Sequence, residues 1–257
     1  MAGPFIGTSG WTYAHWRGGA FYPPRLPQRC ELEHAAARFT ALEINGTFYG
    51  QQRPESFRRW AAAVPPGFPF AVKGHRYITH LKQLNDVRLP LANFLASGVL
   101  ALGDRLGPIL WQFPQRFRFN PEKLERFFAL LPQDTEAAAA LAAEHEAGRM
   151  EGRAWTATDA RRPLRHAVEV RHESFQTPDF VAMLRRWNVM LVVSDAPGWP
   201  AFADAPGDGV YLRLHGAEQL YASRYDDRAL DIWAARIRRW MAGEEPEDLP
   251  RIAAREA

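Results

Sequence analysis

An α/β fold, a TIM-barrel-like (β/α) barrel, is predicted by three observations on this 257-residue sequence. Short apolar runs alternate with helical patterns along the chain. Nearly every apolar run ends in polar residues, as a barrel with a site at the C-terminal ends of its strands requires. No run is followed by the G-x-G-x-x-G of a dinucleotide site or by a Walker A loop. This last point weighs against the other common outcome of strand–helix alternation, the open doubly wound sheet, and no cofactor is expected.

The elements follow in order. The first strand is predicted over 4–7 (PFIG), and a helix over 31–39. ALEIN at 41–45 is the second strand. A helix over 54–63 has Pro54 near its start, where proline is favoured. PFAVK at 69–73 is the third strand, followed by a helix over 91–102 that Gly103 closes. PILWQ at 108–112 is the fourth strand, and 121–131 the next helix. The Ala-rich stretch 132–160 reads as an extra helix plus a mobile loop, an insertion in a single domain spanning 1–257. Strand five covers 166–170. The helix at 178–187 has Thr177 as its N-cap. VMLVV at 189–193 and GVYLRL at 209–214 are strands six and seven, and 228–241 is the last helix.

The composition is that of a globular protein, 47% hydrophobic and 24% charged, with nine Trp. That length supports a large single core. A net charge of +3 permits an anionic partner without requiring one. The single cysteine, Cys30, excludes an intrachain disulfide framework or a cysteine zinc site. The N-terminal MAGPFIGTSGW has no basic region followed by a long apolar stretch, so no secretory signal is expected. No apolar run approaches the roughly 20 residues of a membrane span. The expected compartment is the cytoplasm, with no membrane partner.

The segment HAVEVRHESF at 166–175 begins as a buried strand and then carries a run of ionisable groups. Charge at the end of a buried strand is costly unless paired or used. Side chains alternate faces along a strand, so Glu43 shares a face with Asn45, Glu169 with Arg171, and Arg213 with His215. Lys73, Gln112 and Asp195 stand at or after the ends of strands three, four and six. Around one barrel axis these residues converge. Glu43, Glu169 and Asp195 then meet Lys73, Arg171 and Arg213, with His172 and His215 nearby.

The loop Gly7-Thr8-Ser9-Gly10-Trp11 offers backbone donors, the Ser9 hydroxyl and the Trp11 ring to an oxyanion. Trp11, Tyr13, Trp16, Phe48, Tyr49, Tyr221 and Tyr225 lie in loops after strands and supply stacking surfaces. His75, His80 and His15 read as structural. The expected catalytic residues are Glu169, Arg171, Asp195, His215, Glu43 and Lys73. The expected substrate-binding residues are Ser9, Trp11, Asn45, Gln112, His172, Arg213 and Tyr221. No H-x-x-H or H-E-x-x-H spacing marks a metal site, and no metal is assigned.

Seven ordered blocks carry a family resemblance. They are GTSGW (7–11) with Tyr13 and Trp16, EINGTFY (43–49), FAVK (70–73), LGPILWQFP (106–114), EVRHESF (169–175), SDAP (194–197) and YLRLHG (211–216). On these the chain resembles the YecE-like family, also called domain of unknown function 72. The resemblance implies a TIM-barrel-like fold and no established activity. It further implies a small residue where His75 stands and a closing strand after the last helix. Here AGEEPEDLPRIAAREA follows Met241 with no apolar β-run, which leaves a shortened chain and a member without that strand as alternatives.

Three functional readings follow. The first is an enzyme acting on a phosphorylated or other anionic substrate, including a nucleotide or nucleic acid. Its anion would be held by Arg171, Arg213 and Lys73, with Glu169 or Asp195 as general base and His215 as general acid. The second is a metal-dependent phosphoesterase or sugar isomerase using Glu169, Asp195 and His215. The third is a non-catalytic module that binds nucleic acid or a phosphate metabolite.

Overall fold

The computed structural model describes residues 3–196, 198–216 and 225–253. The strands are β1 (Gly7–Ser9), β2 (Ala41–Ile44), β3 (Phe70–Lys73), β4 (Leu106–Gln112), β5 (His166–Glu169), β6 (Val189–Asp195) and β7 (Tyr211–Leu214). The helices are α1 (Glu31–Ala36), α2 (Gly46–Tyr49), α3 (Pro54–Ala62), α4 (Arg88–Ala96), α5 (Pro121–Leu130), α6 (Thr135–Ala142), α7 (Ala147–Met150), α8 (Pro178–Trp187) and α9 (Asp227–Met241). The strand order is β1-β2-β3-β4-β5-β6-β7, and β1 to β4 and β5 to β7 each pair parallel with the next strand in sequence. A doubly wound sheet would reverse that order at a switch point. The unreversed order is that of the TIM-barrel-like α/β class. Among the described residues no strand follows α9.

The chain forms two compact units, Met1–Leu110 with Leu130–Leu164, and Trp111–Ala129 with Arg165–Ala257. In the first, β1 is in register with β2 from Gly7 opposite Ala41 to Ser9 opposite Glu43. Strand β2 continues onto β3, and Lys73 of β3 faces Leu110 of β4. A Cβ on Gly7 would stand 1.8 Å from the Ala41 carbonyl oxygen, so only glycine lets these backbones approach. In the second unit, β5 pairs with β6 through Val168 and Leu191, and β6 with β7 through Asp195 and Leu214. The Phe113 amide donates to the Glu169 carbonyl at 2.9 Å, which sets the end of β4 beside β5.

Local chemistry explains the boundaries. Strand β6 is buried through its first six residues, as befits a parallel strand covered on both faces. Helix α8 has Pro178 in its first turn and ends at Asn188, whose φ of 47° is the left-handed cap conformation that asparagine tolerates. The Asp226 side chain accepts from the Ala229 amide at 2.7 Å and caps α9.

Four expectations are corrected in detail. The first strand is Gly7–Ser9, not 4–7, and Phe5 and Ile6 stay exposed. The helix expected over 91–102 is broken at Gly98, whose φ is 117°. Helix α4 ends before it and a 3-10 stretch, Val99–Arg105, follows. A Cβ on Gly98 would lie 2.6 Å from the Pro54 Cα, so the chain crosses the start of α3 where only glycine fits. Strand β6 runs two residues further than expected and takes in Asp195.

The stretch 132–160 is docked on α4, not a mobile loop. The Glu146 amide donates to Asn93 Oδ1 at 2.9 Å, and the Trp155 amide to the Ala96 carbonyl at 2.7 Å. Arg88 Nε meets Glu144 Oε2 at 2.7 Å. Alanine-rich composition disguised a segment whose backbone is tied down by helix-borne acceptors. No helix of the described residues is long and apolar enough to cross a membrane.

Candidate functional site

The second unit places Gln112, Glu169, Asp195 and Arg213 at the C-terminal ends of four successive parallel strands. Glu169 is the centre. It is fully buried, yet both of its oxygens are saturated with donors. Arg171 Nε and Nη2 donate to Oε1 at 3.0 and 2.8 Å. Arg213 Nη1 donates to Oε2 at 2.5 Å. Gln112 Nε2 stands 3.1 and 3.0 Å from the two oxygens. Burial pushes the Glu169 carboxyl up, but the Arg213 and Arg171 guanidiniums, helped by the Gln112 amide, outweigh it and hold the carboxyl at about 2. Two guanidiniums thus meet at one carboxylate.

The rest of the cluster is aromatic and imidazole. The Arg171 guanidinium carbon lies 3.8 Å above the Trp199 ring, a cation–π contact that fixes the plane of the fork. His215 meets Trp199 edge-on at 5.2 Å between ring centroids. His215 Nε2 is 3.5 Å from Arg213 Nη1 and 4.0 Å from Glu169 Oε1. The sequence reading missed Trp199. Its signal was there, an aromatic in the loop directly after a strand that ends in Asp195, but the prolines around it marked only a turn.

Asp195 holds the last helix. Its Oδ2 accepts from the Tyr225 hydroxyl at 2.8 Å and from Trp233 Nε1 at 3.1 Å. The Gly216 amide donates to the Tyr225 oxygen at 3.0 Å. Burial and the bond to Asp195 push the Tyr225 phenol up to about 12, so it stays a donor at any physiological pH. Tyr225→Phe should therefore cost about 1–2 kcal/mol, the effect of leaving one lone pair of Asp195 and the Gly216 amide short of a partner. Urea denaturation of the two proteins checks this.

His172 closes a short turn. Its Nδ1 accepts from the Ser174 amide at 3.0 Å. The Ser174 hydroxyl oxygen accepts from the Phe119 amide at 2.9 Å. Tyr221 lies outside the described residues.

The first unit holds the other expected residues. Ser9 Oγ donates to Glu43 Oε1 at 2.6 Å, and the Gly10 amide donates to the Glu43 carbonyl at 2.9 Å. Lys73 is buried with its Nζ 4.2 Å from the centre of the Phe48 ring. The Thr47 hydroxyl donates to the Lys73 carbonyl at 2.6 Å. Asn45 Oδ1 is buried without a hydrogen-bond partner among the described residues. An orphaned acceptor of this kind costs about 1–3 kcal/mol, which a ligand donor would recover. Trp11 packs edge-on against Trp60 at 5.7 Å and tilted against Phe70 at 6.1 Å. The residue stays half-buried.

Among the described residues no group of three or more His, Cys, Asp and Glu side chains stands together as a metal ligand set would. Of the residues proposed for that role, Glu169 already gives both oxygens to protein donors and Asp195 its Oδ2.

Comparisons with known proteins agree with the motif resemblance. A family model described as "Protein of unknown function DUF72" matches residues 5–250. A DUF72 family protein of Thermotoga maritima MSB8 is similar at 26% identity with a TM-score of 0.69, over 89% of this chain and 84% of that one. A DUF72 family protein of Enterococcus faecalis V583 gives a TM-score of 0.67 at 18% identity, over 93% and 85% of the two chains, and bears on the fold alone. The UPF0759 protein YunF of Bacillus subtilis (strain 168) is 24% identical over 131 residues, 47% of this chain. The match spans 43% of YunF, less than half the length of this curated relative.

Proposed function

This chain belongs to the DUF72 family, whose activity is not established, and from that premise we propose that its arginine pair binds an anionic substrate within an enzyme site. The substrate class is a phosphorylated metabolite, nucleotide or nucleic acid. The observation that carries this is the convergence of Arg171 and Arg213 on one buried carboxylate. A carboxylate that only neutralised one cation would need one arginine. With two, the same carboxylate fixes a pair of guanidiniums, and a planar fork matches phosphate and carboxylate oxygens. Arg171 uses Nε and Nη2 on Glu169, which leaves its Nη1 to a ligand.

Glu169 is assigned as the positioning residue. A carboxyl held at about 2 is a weak base near neutrality, so its part is to fix both forks. Gln112 shares that part and His172 stays with the substrate-binding residues. His215, against Arg213 and Trp199, is assigned as the general acid. Glu43 and Lys73 remain the catalytic candidates of the first unit, with Ser9, Trp11 and Asn45 as binding candidates. The same reading places the protein in the cytoplasm, where such metabolites occur.

One observation favours a second reading, a binding module without turnover. Of the two acids expected as bases in the second unit, Glu169 has both oxygens and Asp195 its Oδ2 taken by protein donors. The experiment is thermal unfolding against inorganic phosphate, nucleotides, sugar phosphates and short oligonucleotides, followed by turnover assays on the best binder. A ligand at 100 times its Kd adds about 2.7 kcal/mol, and Tm should rise by several degrees. A rise with turnover supports the enzyme, and a rise without it supports the binding module. No rise with any anion refutes both.

A further inference from the structure

We propose that a cavity of about 220 Å³ in the first unit binds a small zwitterion of the α-amino-acid class. The walls carry both signs of charge. Lys82 and Arg149 line the cavity together with Asp86 and Glu146. None of these four side chains forms a salt bridge within 4 Å among the described residues, whereas most ion pairs of this protein join an arginine to a nearby acid. Two cations and two acids that border one space without pairing suit a ligand with an ammonium at one point and a carboxylate at another.

The size and the remaining walls narrow the class. The volume lies below the roughly 300–1,000 Å³ of pockets for drug-sized ligands, so a nucleotide is too large and a free amino acid fits. Ile78, Leu89 and Pro90 add an apolar wall, suited to an aliphatic side chain. His75 contributes a neutral imidazole. Burial lowers its pKa first, and the Arg149 and Arg76 charges lower it further. Its Nδ1 accepts from the Tyr77 amide at 3.1 Å, which leaves Nε2 as a donor.

The backbone of this wall is unusual in the same place. Tyr77–Leu81 is a turn of π-helix, a rare form that is frequent at functional sites. Gln83, Leu84 and Asp86 follow with φ of 46°, 65° and 47°. Three non-glycine residues in the left-handed region within four positions are strained, and such strain is kept where a site needs it. Neither the cavity nor this segment belongs to the arginine cluster.

Isothermal titration of the intact chain with L-leucine, L-serine and L-arginine tests the proposal. The N-acetyl and methyl ester forms of each, which lose one charge, are the controls. At least one free amino acid should saturate with a Kd of about 1 mM or tighter, and its blocked forms should bind at least about tenfold more weakly. Arg149→Ala and Asp86→Asn should each weaken the free form by about tenfold. Both residues are exposed, so the variants should keep the far-UV spectrum and Tm of the parent. The proposal is overturned if none of the three saturates, if blocked forms bind as tightly, or if both variants bind unchanged.

Discussion

Glu169→Ala is expected to destabilise the protein by about 3–5 kcal/mol, the cost of removing one partner from a buried charge cluster. The reason is what stays behind. Arg213 keeps 8% of its side-chain surface exposed and Arg171 16%, so two charged forks would sit in a dry place without the Glu169 charge. Gln112 would lose its acceptor as well. For a chain of this size the loss corresponds to a fall in Tm on the order of 10 °C. Glu169→Gln keeps the shape and one carbonyl acceptor and should fall between the two. Urea denaturation at neutral pH checks both. A loss below about 1 kcal/mol for the alanine variant would mean that water reaches the forks and the cluster is not a buried one.

Acid should remove the same stabilisation in the wild type. The Glu169 carboxyl sits at about 2 in the folded protein against an ordinary value of 4.5. A depressed carboxyl contributes stability that is fully present above 4.5 and is lost as pH falls toward 2. At about 1.4 kcal/mol per pH unit the loss amounts to about 3 kcal/mol over that window. Above about pH 5 this group gives no pH dependence. Denaturant midpoints at pH 7, 5 and 3 measure the slope. In Glu169→Gln the part of the slope due to this group should vanish, while the surface acids Asp134, Glu144 and Asp159, each paired with an arginine, keep theirs. An unchanged slope in the variant would contradict the cluster's role.

Much of this was legible because periodicity carries it. The apolar run of β6 and the Pro178 start of α8 are written in neighbouring residues. So was the pairing of Glu169 with Arg171, because alternation in an extended chain puts positions two apart on one face. Arg213 joining the same carboxylate depends on which strands are neighbours, and the strand order supplied it. What the sequence hid are contacts set by tertiary approach. Gly98 looks like a weak helix residue until α3 is seen against it. Asp195 looked like a free acid at a strand end, because nothing local reveals that Tyr225 and Trp233, 30 and 38 residues further on, take its carboxylate. The stacking of Trp199 on Arg171 was hidden in the same way, since it has no sequence period, although its place after a strand was readable.

The most direct test of the arginine pair as an anion seat is calorimetric titration of inorganic phosphate into the wild type and into Arg171→Ala. Arg171 is half of the pair and the half stacked on Trp199, and its Nε and Nη2 are taken by Glu169, so its loss removes one positive fork from the seat. The wild type should bind phosphate saturably, more weakly as salt is raised. The variant should bind at least about tenfold more weakly, a loss of about 1.4 kcal/mol or more. Equal binding by the two proteins, or no binding by the wild type at any salt, would contradict the account.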